Sequence, residues 1–349
     1  MNPSEFFYFF SFLAFIVLML LLDLGVVKRE HRAVGFREAL LWTALWVSLA
    51  FSFYLFLYMA GHRIHGIESM DELNVLASKY KQPFKTTGIF EQDIINYNHL
   101  LSLEFITGYL IEEALSMDNI FVIILIFAAF GVEKRYYHSV LFWGILGAIV
   151  FRCLFIFAGA VAVTKYEWIL YVFAAFLVYT GIKMFFNRNK KEEIDPQHHP
   201  VVRFASKYFA VHPRFEGNKF VVKINGKRLI TPLFLTLLII EFTDVIFAVD
   251  SIPAIFSVTK DPYIIFFSNI FAILGLRSMF FLLINVIGKF RYFKHGLSVL
   301  LVFIGVKMLF GERLSAMGFT IVHSLLLILL ILAASVVFSL LLPGEKKGA

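Results

Sequence analysis

Nine apolar stretches, most of them close to the roughly 20 residues a helix needs to cross the hydrocarbon core of a bilayer, take up most of the 349 residues of this chain. They lie near 5–27, 39–60, 102–130, 138–163, 168–186, 231–258, 263–288, 294–310 and 316–342. Backbone polar groups in lipid must satisfy one another, so stretches of this length are expected to be helices. The expected fold is an all-α polytopic membrane protein of about nine transmembrane helices. Composition agrees, with 60% hydrophobic and only 16% charged residues against about 25% charged in soluble chains. No lysine or arginine precedes the first stretch, as one would in a signal peptide, so it is read as a retained span. A single cysteine, Cys153, excludes a disulfide framework and a thiolate metal cluster.

The net charge of +7 would hint at nucleic acid in a soluble protein, but here the basic residues follow the membrane, and no nucleic-acid partner is expected. With the amino terminus placed outside and the spans alternating, the inner segments collect 21 of the 32 lysines and arginines and the outer segments seven. That is the positive-inside pattern, with the carboxyl terminus in the cytoplasm. The chain then divides into peripheral helices at 1–60, an extracytoplasmic loop at 61–101, three spans at 102–186, a cytoplasmic segment at 187–230, three more spans at 231–310, and a last helix with its tail at 311–349. The outer loop carries mixed charge and is expected to be partly helical. The cytoplasmic segment ends in "KFVVKINGKRLI", which alternates around Asn225-Gly226 and predicts a small β-hairpin.

The two triplets of spans repeat one another. "LSMDNIFVI" at 115–123 matches "FAVDSIPAI" at 247–255, placing Asp118 opposite Asp250 and Asn119 opposite Ser251. Six residues earlier stand Glu112 and Asp244. Downstream, "GILGAIVFR" ends in Arg152 and "NIFAILGLR" in Arg277, while "TGIKMFF" carries Lys183 and "IGVKMLF" carries Lys307. Three spans per copy is an odd number, so the second copy enters the membrane from the opposite side. This predicts an inverted 3+3 repeat with a substrate site near mid-membrane.

Charged side chains at that depth cost about 2.5–3.5 kcal/mol each even on the lenient insertion scale, and so mark function. Glu112, Glu113, Asp118, Glu241, Asp244 and Asp250 outnumber Arg152, Arg277, Lys183 and Lys307 by two, an excess that one divalent cation would neutralise. The candidate metal ligands are Asp118, Asp250, Glu112 and Asp244, with Asn119, Ser251 and Glu241 beside them. Arg152, Arg277, Lys183 and Lys307 are expected to balance charge or gate. The competing reading ties Asp118 and Asp250 to Arg152 or Arg277 in structural salt bridges. Neither cysteine nor histidine flanks either motif, and these hard oxygen donors suit Mn2+, Mg2+ and Ca2+ alike. Six residues turn a helix by about 600°, which leaves Glu112 and Asp118 some 120° apart. Convergence of all four acids therefore predicts that the third and sixth spans are interrupted near their aspartates, helped in the sixth by Pro253.

"EFITGYLIEEALSMDNIFVIILIF" and "EFTDVIFAVDSIPAIFSVTKDPYIIFFSNIFAILGLRSMFFLL" resemble the TerC/Alx family of integral membrane proteins. The resemblance covers nearly the whole chain, with an outer insertion around 65–95 longer than the family leads one to expect. It implies membership of the wider LysE-like transporter group, residence in the bacterial cytoplasmic (inner) membrane and export of manganese from the cytoplasm. The expected function is thus a secondary transporter of Mn2+, coupled to protons, with the cation as cargo and no resident cofactor. No phosphate-binding loop, nucleophile elbow or dinucleotide motif is present, so an enzyme is not expected. The alternative is a non-transporting scaffold for metal delivery to exported proteins or for tellurite and stress resistance. Its partners would be exported proteins or translocation machinery, docking on 61–101 or 187–230.

Overall fold

Among the described residues, each of the nine apolar stretches contains a helix. The computed structural model describes residues 3–27, 35–82, 86–166, 168–186, 200–224, 226–284 and 292–341. In chain order the elements are α1 (Pro3–Val27), α2 (Phe36–Ala60), α3 (His62–His65), α4 (Met70–Lys79), α5 (Phe90–Ala129), α6 (Lys134–Lys165), α7 (Trp168–Phe186) and α8 (Pro200–Tyr208). Strands β1 (Val221–Ile224) and β2 (Lys227–Ile230) follow, then α9 (Pro232–Phe256), α10 (Pro262–Leu283), α11 (Phe293–Leu309), α12 (Gly311–Ala316) and α13 (Ile321–Leu341). Among the described residues six helices, α2, α6, α7, α9, α10 and α13, are long and apolar enough to cross a membrane. Their outward faces carry Leu41, Met59, Trp168, Phe186, Leu330 and Leu341, all exposed. So much exposed apolar surface is incompatible with water and fits lipid. The protein is an all-α polytopic membrane protein.

Helix α10 is the central post. Nearly all its residues are buried, and it packs against α2, α5 and α6. An aromatic cluster joins it to α1, α2 and α5: Phe12, Phe53 and Phe105 meet Phe267 or Phe271 with ring centroids 4.7–5.7 Å apart, within the range of favourable edge and tilted contacts. By contrast α2 buries only a stripe, Ala39, Trp46, Ala50 and Leu57, against the bundle.

Two glycines set the tightest helix contact. A Cβ on Gly181 of α7 would lie 2.7 Å from the Ser298 carbonyl of α11, and one on Gly305 of α11 would lie 2.8 Å from the Ala174 carbonyl of α7. These are the glycines of "TGIK" and "IGVK", and their contacts run in opposite directions along the two helices, which are therefore antiparallel. Small residues let two helices approach closely where no hydrophobic force drives them together.

The predicted hairpin is present: β1 pairs antiparallel with β2, Val221 opposite Ile230 and Ile224 opposite Lys227. Asn225 of its turn, and 187–199 of the segment before it, lie outside the described residues. Two expectations need correction. The third stretch begins at Phe90 rather than near 102, because Asp93 accepts hydrogen bonds from the Thr87 amide, the Thr87 hydroxyl and the Gly88 amide, fixing a polar first turn. And neither α5 nor α9 is interrupted at its aspartate. Pro253 sits in the last turn of α9, three residues from its end, where it forfeits one hydrogen bond without opening the helix.

The segment between α2 and α5 is held down by a buried ionic clasp. His65 of α3 places Nδ1 3.1 Å from Glu5 of α1 and Nε2 2.7 Å from Asp261, the N-cap of α10. The Tyr263 hydroxyl also donates to Glu5, at 3.1 Å. With a carboxylate at each ring nitrogen, the imidazole is held doubly protonated. Burial alone would lower its pKa, but Asp261 and then Glu5 outweigh it and raise the value from 6.5 to about 9. A pKa raised by folding gives stability that is complete below about pH 6.5 and lost as pH rises through about 9.

Two outcomes are expected. Replacing Gly305 with Val should lower stability by about 1–3 kcal/mol through overpacking, read as a lower unfolding midpoint in detergent. The unfolding midpoint of the native chain should fall between pH 7 and pH 10, while His65→Gln flattens that slope. Parallel pH profiles would contradict the clasp.

Candidate functional site

Helices α5 and α9 each carry two acids six residues apart, and because both helices are continuous the two acids look in different directions. Glu112 and Asp244 turn toward α6 and α10. There Arg152 of α6, fully buried, hydrogen-bonds Glu112 through Nη1. It also grips Asp244 through two contacts, Nη2 to Oδ1 at 3.1 Å and Nε to Oδ2 at 3.3 Å. Asn269 of α10 closes the ring. Its Oδ1 accepts from Arg152 at 3.2 Å and its Nδ2 donates to Glu112 at 3.0 Å. One guanidinium serves both carboxylates, and every member of the group is hydrogen-bonded, which is what lets ions persist in an apolar interior.

Asp118 and Asp250 face the other way, into a cavity of about 410 Å3 between α5, α7, α9 and α11. Asn119, Thr180 and Lys183 line it with them, among apolar walls that include Phe247 and Leu301. The Lys294 ammonium lies 3.6 Å from Asp118 Oδ1 and 4.3 Å from the Phe121 ring centroid. Two carboxylates, an amide and a hydroxyl are hard oxygen donors, a set that suits a small divalent cation keeping part of its water shell. Lys183 in the lining and Lys294 beside Asp118 hold the acids' charge in check.

The structure thus brings together Asp118, Asp250, Asn119 and Lys183, and separately Glu112, Asp244 and Arg152. It does not bring all four acids to one pocket. Asn119 touches both regions, since it also lines a cleft of about 30 Å3 beside Asp244 and Thr243. The salt bridge from Asp118 or Asp250 to Arg152 is not formed, because Arg152 is saturated by Glu112 and Asp244. Ser251 is buried beside Asp250 but outside the cavity lining, its hydroxyl without a hydrogen bond among the described residues. Glu241 lies against Gly147 of α6, and Glu113 points toward Gly275 of α10. Each leaves one carboxyl oxygen buried without a hydrogen bond among the described residues. Arg277 donates to Nε2 of His138 at 2.9 Å. Lys307 sits at the far end of α11 from the aspartates and donates to the Ser257 carbonyl at 3.3 Å. Among the described residues no three carboxylate, imidazole or thiol groups gather into a ready-made metal centre.

Three participants escaped the sequence reading. Lys294 looks like one more positive charge in an inner segment. Asn269 is a lone amide inside "NIFAILGLR", and a polar side chain in so apolar a helix was itself a signal. Thr180 stands beside the "GIK" motif without any charge to mark it.

Comparison with known proteins adds an independent line. Residues 98–347 match the family described as the integral membrane protein TerC family. An uncharacterised membrane protein of Myxococcus xanthus is 45% identical over 85% of this chain and 82% of its own length. A putative membrane-bound redox modulator, Alx, of Photorhabdus laumondii is 41% identical over 86% of this chain and 84% of its own. An uncharacterised membrane protein of Rickettsia bellii is 36% identical over 93% and 96%. No solved structure matches.

The two charge groups should respond differently to mutation. Arg152→Met leaves Glu112 and Asp244 buried and unpaired, and is expected to cost about 3–5 kcal/mol. Asp250→Asn, at a cavity wall, should shift the unfolding midpoint in detergent little. Equal destabilisation by both would mean that Asp250 is structural as well.

Proposed function

The chain belongs to the TerC family of integral membrane proteins, and from that footing we propose that it is a secondary transporter exporting a divalent cation, Mn2+ in the first place, through the Asp118–Asp250 cavity. The observation that carries this reading is the meeting of two aspartates from helices remote in sequence at one cavity of about 410 Å3 between apolar helices. Ionisable side chains among apolar helices are costly and mark function.

In this mechanism the empty carrier neutralises its acids with its own lysines. A cation entering the cavity displaces Lys294 from Asp118 and draws Asp118, Asp250 and the Asn119 amide into its coordination shell. Glu112, Asp244, Arg152 and Asn269 stay out of that shell and hold α5, α6, α9 and α10 in register. Helices α5 to α7 and α9 to α11 act as inverted repeats that rock about the site. The reciprocal docking of Gly181 on α11 and Gly305 on α7 supports a two-fold relation between them. Nine membrane spans, an external amino terminus and a cytoplasmic carboxyl terminus in the bacterial inner membrane complete the arrangement, and inward proton flux through the same carboxylates drives export.

A second reading, a docking scaffold without turnover, draws on the exposed aromatic face of α8, with Phe204, Tyr208 and the following Phe209, next to the β-hairpin. The redox role in the name of some relatives gains no support from thiol pairs here, since Cys153 is the sole cysteine.

Cells producing the native chain are expected to hold less Mn2+ under Mn2+ load than cells producing Asp118→Asn or Asp250→Asn. Reconstituted protein should lose at least tenfold of its Mn2+ flux in either variant. Native flux in both would rule out the cavity as the pathway. Loss of function on deleting 219–230 with flux intact in vesicles would favour the scaffold.

A further inference from the structure

Helix α8, "PVVRFASKY", carries a different chemistry on each side. Val202 and Ala205 seat it beside the first turns of α9, with Leu235 and Leu238, and beside Phe130 at the end of α5. At about 100° per residue, Phe204 and Tyr208 share one flank of that contact, Ser206 takes the opposite flank, and Arg203 and Lys207 face away from the bundle. Phe204, Tyr208 and the following Phe209 are each more than half exposed. The Phe204 and Tyr208 rings lie 4.9 Å apart, and the Lys207 ammonium lies 5.9 Å from the Tyr208 ring centroid. The charge around them has one sign. All seven lysines and arginines of 200–230 are exposed, against one acid, Glu216, and the preceding 187–199 adds three of each sign.

The level of this surface follows from α9. The hairpin, with Lys227 and Arg228 exposed, ends at Ile230, and α9, long and apolar enough to cross a membrane, begins at Pro232. Exposed charge on one side of that step and an apolar helix on the other put the first turns of α9 at the boundary between water and lipid, and α8 lies against those turns. We infer that α8 is an anchor lying in the headgroup layer, and that its occupant is anionic phospholipid of the bilayer that α9 crosses. Phe204 and Tyr208 enter the boundary of the acyl chains, the level at which aromatic side chains collect, while Arg203 and Lys207 meet headgroup phosphates. Helices with one aromatic and one basic side lie in this plane, and clustered cations beside a membrane helix select anionic lipid. A protein partner would have to take the same face from lipid that is already there. The anchor stands whether or not a cation crosses the protein.

The test uses full-length protein in a Cys153→Ala background, with a bimane fluorophore on Tyr208→Cys, where its apolar ring replaces the tyrosine, or on Ser206→Cys on the opposite flank. Nanodiscs of phosphatidylcholine and phosphatidylglycerol carry a trace of doxyl-labelled lipid of either kind as quencher, and iodide probes from the water side. The label at 208 is expected to be quenched by doxyl lipid, more by phosphatidylglycerol than by phosphatidylcholine, and to be shielded from iodide. The label at 206 is expected to be open to iodide. Arg203→Gln with Lys207→Gln, both at exposed positions, should reduce the preference for phosphatidylglycerol about tenfold, and Arg203→Lys should keep most of it. A label at 208 that neither lipid quenches, as on a face that water or a protein covers, overturns the proposal. Equal quenching by the two lipids with Arg203 and Lys207 in place overturns it as well.

Discussion

Arg152 has no route to water, and its neutralisation inside the bundle dictates how four helices meet. A guanidinium enclosed by apolar helices persists only with its charge and its donors answered. Here the answers come from α5, α9 and α10 at once: Glu112, Asp244 and Asn269. That ring fixes the rotation of α5 and α9 about their own axes. With Glu112 and Asp244 committed to one side, the acids six residues further on are carried about a third of a turn away, toward α7 and α11. The position of Asp118 and Asp250 is thus a consequence of where the arginine is satisfied.

The same helices consequently present one charge cluster that is closed and another that is open to exchange. The closed one is joined by hydrogen bonds and borders only a cleft of about 30 Å3. The open one has a cavity, one ammonium at 3.6 Å and two carboxylates from different helices. In the proposed cycle the closed cluster is the pivot and the open one the cargo site. Helix contact through Gly181 and Gly305 keeps α7 and α11 close enough for Lys183 and Lys307 to serve opposite ends of the pair.

Much of the fold was legible because the bilayer imposes it: length and hydropathy alone place the helices, and alternation around Asn-Gly places the hairpin. The clasp at His65 was not legible, since Glu5, His65 and Asp261 are 60 and 196 residues apart along the chain and none sits in a motif. At the site, the sequence reading brought its four acids to one point by breaking two helices. The structure keeps α5 and α9 intact and separates the acids instead, because an unbroken helix loses no backbone hydrogen bonds in an apolar interior. Lys294 escaped notice for a related reason: an inner-segment lysine and a lysine reaching back to Asp118 look alike in one dimension.

The central claim, that Asp118 and Asp250 together hold the cation, is tested most directly by counting Mn2+ bound to the purified protein by electron paramagnetic resonance. The account predicts one tightly held ion per chain, lost in Asp118→Asn and in Asp250→Asn but retained in Glu241→Gln. An ion held equally by the native protein and by both aspartate variants would contradict it.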